Sequence, residues 1–320
     1  MANVIAVLFY LAVSGLLSLT LLALVWLADR YEREPPMLVV ATAFWGMVPA
    51  FVMSCLVEVA VQIPATTLAG SRQAGATIVA LLVAPPVEEA AKALALLAVF
   101  VFLRKEFDDV MDGLVYGAAV GIGFSFVEDF FYFAGTLGKQ GLGAGLLTFL
   151  LRNLAFILNH SLFTAFTGIG FGLARLQYRR RLALFGWPLA GYAAATTVHA
   201  LHNFLSTMDV PGLIGAMYLH LFGGLGLVVL VGFLWEAEKR WIAQRLGSEI
   251  AEKRIPVEAL GALPFLRRPG GMTPRHAREL RVALDQLAFH RRQVDEGWSP
   301  ELAPELEPLR RKVRDLTAQA

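Results

Sequence analysis

The chain has 320 residues, of which 57% are hydrophobic and only 17% charged, with a formal net charge of +2 and a mean hydropathy of +0.58. So few charges leave too little polar surface for a soluble enzyme of this length. The near-zero charge argues against nucleic acid as a partner, and one cysteine, Cys55, rules out a disulfide framework or a cysteine-based zinc site.

A helix needs about 20 apolar residues to cross the hydrocarbon. Seven such windows follow one another: roughly 4–27, 37–62, 75–103, 111–135, 144–174, 182–206 and 212–236. The first has no Lys or Arg before it and is too long for a signal-peptide core, so it reads as an anchor. The fifth is over-long, which suggests an interfacial helix near 142–150 followed by a shorter span. Lys and Arg concentrate in the odd loops and in the tail. By the positive-inside rule these face the cytoplasm and the N-terminus faces out. The expected fold class is therefore all-α: a polytopic membrane bundle of about seven helices over residues 1–236, then a cytosolic helical tail over 237–320. Gly117 with Gly121, and Gly168 with Gly172, form GxxxG steps that let helix backbones approach closely.

Charged groups at mid-bilayer cost at least about 2.5 kcal/mol each on insertion scales. The spans nevertheless carry Glu88, Glu89 and Lys92 directly after Pro85-Pro86, then Glu128 and Asp129, Arg152, Asn153, Asn159 and His160, His199, His202 and Asn203, and His220. Given the proposed topology, Glu88, Glu128, His160 and His199 all fall between the midplane and the outer leaflet. The proline pair should break or kink the third span. Glu88 and Glu89 then occupy the first turn of a half-helix, where its dipole favours carboxylates. Lys92 lies four residues after Glu88 and can hold one carboxylate ionised, an arrangement suited to a general base that must also return a proton. His199 and Asn203, again four apart, can offer two donors to an oxyanion. Asp108, Asp109 and Asp112 read as solvated at the cytoplasmic interface, and Glu58 as interfacial. Buried Glu and His with a broken helix also mark proton- or cation-coupled transporters. The break has no counterpart in the second half, which lowers that alternative.

The stretch PPVEEAAK resembles the EExxK motif of the PrsW-type membrane proteases. DGLVYGAAVGIGFSFVEDFFYF is similar to the family's second block, with Phe124 and Glu128 in an FxxxE pattern. RNLAFILNHSLFTAFTGIGFG, which begins at Arg152 and Asn153 and centres on His160, and HALHN, with His199 and Asn203, resemble the third and fourth. The resemblance covers roughly residues 75–206 and implies site-1-type cleavage of a single-span protein such as an anti-sigma factor, in a bacterial-type plasma membrane. PrsW proteins also resemble, distantly, the CAAX-prenyl and bacteriocin-processing endopeptidases. That similarity implies that Glu88 activates water while His199 and Asn203 stabilise the oxyanion; the chain departs where Glu128 replaces the relatives' His. No HExxH is present. A zinc site from Glu88, Glu128, His160 and His199 and a metal-free glutamate mechanism both remain open.

The tail repeats a helix signature. Thr273-Pro274 should open a helix to about Arg292 with Leu280, Leu284 and Leu287 on one face. Ser299-Pro300 should open a second, with Leu302, Leu306, Leu309, Val313 and Leu316 on one stripe.

Overall fold

The computed structural model describes residues 2–262 and 273–319, and among them there are helices and no strands. In chain order the helices are α1 (Ala2–Ala28), α2 (Pro36–Trp45), α3 (Phe51–Ala69), α4 (Arg72–Ile78), α5 (Ala84–Phe102), α6 (Val110–Gln140), α7 (Leu142–Leu150), α8 (Asn159–Leu176), α9 (Arg181–Ser206), α10 (Val210–Ala251), α11 (Pro274–Glu296) and α12 (Ala303–Ala318). Short π-turns join α2 to α3 (Gly46–Ala50), α4 to α5 (Val79–Val83), and follow α7 (Leu151–Ala155). Five helical stretches are long and apolar enough to cross a membrane: Asn3–Ala28, Pro36–Ala69, Val110–Gln140, Leu142–Leu176 and Val210–Ala251. The remaining two windows are helical as well, through α4–α5 and α9.

The chain divides into two compact units. The larger comprises Met1–Asp29 and Glu34–Leu230. Its centre is α6, whose first half is buried on all sides from Val110 to Ser125. Glycines make that possible. A Cβ on Gly113 would collide with the Gly168 carbonyl, one on Gly121 with the His160 carbonyl, and one on Gly117 would lie 2.7 Å from the Thr164 carbonyl. The α6 and α8 backbones thus touch every fourth residue, as the GxxxG spacing anticipates. Gly123 meets Ala43 of α2 in the same way, and Gly191 of α9 meets Phe166 of α8.

The breaks have local causes. At Val79–Val83 the helix widens because Pro85 and Pro86 bring no N–H. The Ala84 amide reaches back to the Val79 carbonyl. In that register Ala80 would accept from residue 85, which is proline, so its carbonyl is left over. The Asn203 side-chain amide supplies the missing donor at 2.8 Å. Beyond α7, the Phe156 amide bonds Leu151, and the chain then restarts as α8 at Asn159.

Asp108, Asp109 and Asp112 are buried, not solvated as the sequence suggested. Asp112 accepts both the Asp108 (2.6 Å) and Asp109 (2.9 Å) amides while Asp109 caps Met111; the Asp109 and Asp112 carboxylates are used in starting α6. Tyr116 donates to the carboxylate of Glu34 beside them.

The smaller unit contains Arg30–Arg33 and Val231–Ala320. Ile242 and Leu246 of α10, Leu280, Leu284 and Leu287 of α11, and Leu306 and Val313 of α12 form its core. Thr273 caps α11 by accepting the His276 amide. Glu249 is gripped by Arg310 through two bonds of 2.7 and 2.9 Å. Asp285 is enclosed, with Arg281 at 3.4 Å its one ionic partner among the described residues, and burial pushes its carboxyl up to about 7.

Two outcomes are expected. Gly168→Val should lower the melting temperature of the detergent-solubilised protein sharply, at a cost of about 3 kcal/mol or more, whereas Gly135→Ala, with open space around it, should be neutral. The Asp285 carboxyl is raised, so its neutral form stabilises the fold at low pH and that contribution is lost as pH climbs through about 7. Protection factors of α11 amides, which are corrected for base-catalysed intrinsic exchange, should fall from pH 4.5 to 8, and Asp285→Asn should flatten the dependence.

Candidate active site

The proline-broken start of α5 projects Glu88, Glu89 and Lys92 inward, all three buried. Lys92 is fully enclosed. Its ammonium donates to Glu89 Oε1 at 2.8 Å, to Glu88 Oε2 at 3.2 Å and to His160 Nδ1 at 2.7 Å. It also lies 3.8 Å above the Phe124 ring. An ammonium without water survives here because two carboxylates and a ring face surround it.

Both oxygens of Glu89 are occupied. Oε1 faces Lys92 and the His199 Nδ1 at 3.2 Å, and Oε2 accepts from the Thr164 hydroxyl at 3.0 Å. Glu88 is less confined. Its Oε2 stands 3.8 Å from His160 Nδ1 and 4.0 Å from His199 Nε2, and the residue lines a cavity of about 260 Å³ between α3 and α6.

Carboxylates fix both imidazoles. Glu128 lies 2.9 Å from His160 Nε2, so the proton resides on Nε2 and the Nδ1 lone pair turns toward Lys92 and Glu88. Glu89 holds the Nδ1 proton of His199, which leaves the Nε2 lone pair toward Glu88. The tautomers follow from these partners. Glu128 is itself clamped by Arg152, which also binds Asp129 and stacks 3.9 Å over Tyr132. The π-turn at Leu151–Ala155 sets Arg152 at this point. Asn159 locks the start of α8, accepting from the His160 amide at 2.7 Å and the Ser125 hydroxyl at 2.6 Å.

The structure thus gathers Glu88, Glu89, Lys92, Phe124, Glu128, Arg152, His160 and His199 around one point. Asn203 is not brought there: its amide serves the Ala80 carbonyl, so only His199 of the expected donor pair faces Glu88. His202 and His220 bond each other at 2.9 Å. Two residues near the site are not among those the motifs single out: Thr164, which lies within the third block, and Glu58, which lies outside all four. Thr164 could be found as the position one helical turn after His160, and Glu58 as the lone charge of its span.

The residues suit a divalent metal. Donor atoms of Glu88, His160 and His199 lie within 4.8 Å of one another. One carboxylate oxygen and two imidazole nitrogens, each ring held from behind by a carboxylate, are ligands that zinc accepts. Glu128 occupies the opposite nitrogen of His160, so among these four carboxylate and imidazole groups it is the one that backs a ligand. Lys92 would have to leave His160 Nδ1 and keep its hold on Glu89.

Residues 34–235 match the family described as PrsW family intramembrane metalloprotease. The chain is similar to Protease PrsW of Geobacillus kaustophilus (strain HTA426), at 29% identity over 58% of this chain and 74% of that protein. It is also similar to Protease PrsW of Bacillus subtilis (strain 168), at 26% identity over 59% and 78%. No solved structure matches. With most of its length matched, a Glu–His centre and several spans, this chain belongs to the PrsW family of intramembrane metalloproteases and is a multi-pass peptidase of the cell membrane.

Proposed function

We propose that the protein is an endopeptidase that hydrolyses one peptide bond of a single-span membrane protein, an anti-sigma factor being the type of substrate, by site-1-type cleavage with a Glu/His-activated water. The supporting observation is the convergence of Glu88, His160 and His199 from three helices, with donor atoms within 4.8 Å of one another and Glu88 also lining a cavity. In this reading α4–α5 and α9 also cross the bilayer, giving seven crossings with the N-terminus outside.

Glu88 is the general base. It alone of the two adjacent carboxylates borders open space, and its Oε2 can take a proton from a water lodged between it and the two imidazole lone pairs. The same carboxyl then returns that proton to the leaving amine. Glu89 is a positioning residue: with both oxygens engaged, it orients Lys92 and His199. Glu128 positions His160 through Nε2, and Arg152 fixes Glu128. Were Glu88, His160 and His199 to hold a divalent metal instead, the ion would take over from Glu88 as base by lowering the pKa of a bound water, and would polarise the scissile carbonyl. Lys92 contributes a fixed positive charge beside the developing oxyanion.

Reconstitution with a single-span substrate tests the assignment. Glu88→Gln should lower cleavage at least about 100-fold, and His160→Ala should lower it similarly. Glu128→Gln should cost about 10- to 100-fold through the orientation of His160. Undiminished cleavage by Glu88→Gln would refute the base. For the metal, elemental analysis should find zinc in the wild type and lose it in His160→Ala and His199→Ala; full activity of a zinc-free protein in chelator would leave the glutamate mechanism alone.

A further inference from the structure

Glu58 is the one charge of α3, and its side chain faces the cavity that also exposes Glu88 and Glu128. Five carboxylates gather around this region: Glu58, Glu88, Glu89, Glu128 and Asp129. Lys92 serves Glu88 and Glu89, and Arg152 serves Glu128 and Asp129. Glu58 has no hydrogen bond or ion pair among the described residues. With all five ionised, even a divalent ion at the imidazoles would leave one negative charge over. An unpaired carboxylate on a membrane helix is costly, and the groups the chain itself provides do not relieve it.

The walls point to what would. Phe51, Phe124, Phe131 and Tyr132 line the same cavity. Two of these rings already carry a cation on one face, Lys92 over Phe124 at 3.8 Å and Arg152 over Tyr132 at 3.9 Å. Phe51 and Phe131 stack at 5.2 Å and carry none among the described residues. Aromatic faces beside a lone carboxylate form a receptor for an ammonium or guanidinium. At about 260 Å³ the space falls below the range of about 300–1,000 Å³ for whole small-molecule ligands, which suits one side chain. Phe131 and Tyr132 are exposed, so the cavity opens beside α6, and the buried Glu88 is part of its wall.

We propose that this cavity is the subsite that takes a basic side chain, Lys or Arg, of the substrate next to the scissile bond, with Glu58 as its ionic partner. The assignment rests on the endopeptidase reading above. It makes the enzyme selective for a membrane-anchored segment bearing a positive charge beside the cleaved bond. Glu58 is here a specificity residue and takes no part in water activation.

Cys55, the chain's only cysteine, lines the cavity and permits a test that needs no catalysis. The full chain in phosphatidylethanolamine–phosphatidylglycerol vesicles is labelled with aminoethyl and with sulfonatoethyl methanethiosulfonate, with Cys55→Ser as blank. Relative to Glu58→Gln, the wild type should favour the cationic reagent by about tenfold, and Glu58→Asp should restore part of the bias. In parallel, single-span substrates carry Lys, Gln or Glu at each position flanking the cleaved bond. Lys should be cleaved about tenfold faster than Gln at one position, and Glu58→Lys should turn the preference toward Glu. Cleavage indifferent to charge, or a Lys preference unchanged in Glu58→Gln, overturns the subsite whatever the labelling shows. A labelling bias with no cleavage of any substrate counts against the endopeptidase reading and upholds the cavity's preference for cations.

Discussion

The buried ammonium of Lys92 is the constraint around which the larger unit is arranged. A full positive charge with no access to water requires anions and lone pairs within about 3 Å, and here they come from Glu88, Glu89 and His160. Meeting that requirement brings α5 against α8, and Glu89 extends it to α9 through His199. Removing one partner from such a cluster typically costs about 3–5 kcal/mol, because the remaining charge is left bare. The same cluster gives the site its chemistry. One carboxylate is locked by its hydrogen bonds, the neighbouring one borders open space, and two imidazoles turn lone pairs toward it.

That geometry depends on how closely α6 can approach α8. Glu128 reaches His160 Nε2 only because Gly113, Gly117 and Gly121 bring the two backbones into contact. Lipid offers no hydrophobic drive for this approach, so packing and polar bonds must supply it. Ser125 with Asn159 adds a buried polar tie at the same level. Behind Glu128, Arg152 and Asp129 complete an alternating series of charges that ends on the Tyr132 ring.

Much of this is legible in the sequence because lipid forbids unexplained charge. PPVEEAAK announces a break and a carboxylate pair, and the glycine steps announce the contact between α6 and α8. The separation of α7 from α8 is foreshadowed by an apolar window too long for one crossing. Three features are less accessible. Asn203 sits one turn from His199, yet it serves the Ala80 carbonyl; that need arises only from the register change before Pro85. Asp112 reads as a surface acid because its use as a cap for two amides depends on a turn the sequence does not specify. Glu58 stands alone in its span, and its relation to Glu88 and Glu128 exists only when α3 lies beside α6. Motif reasoning follows residues within a segment, and these three act between segments.

The widened turn at Val79–Val83 carries a consequence for how the helix is phased. An ordinary helix advances about 100° per residue, and a turn closed over five residues instead of four inserts one residue without adding a full step along the axis. Every side chain from Ala84 onward is therefore rotated about 100° from where an unbroken α4–α5 wheel would put it. Without that offset, Glu88, Glu89 and Lys92 would be dealt to a different side of the helix. The two prolines hold the offset in place by withholding the amides that would close the tighter register. The helix is set like a key, with its angular setting written in Pro85 and Pro86 rather than in the acidic residues that use it.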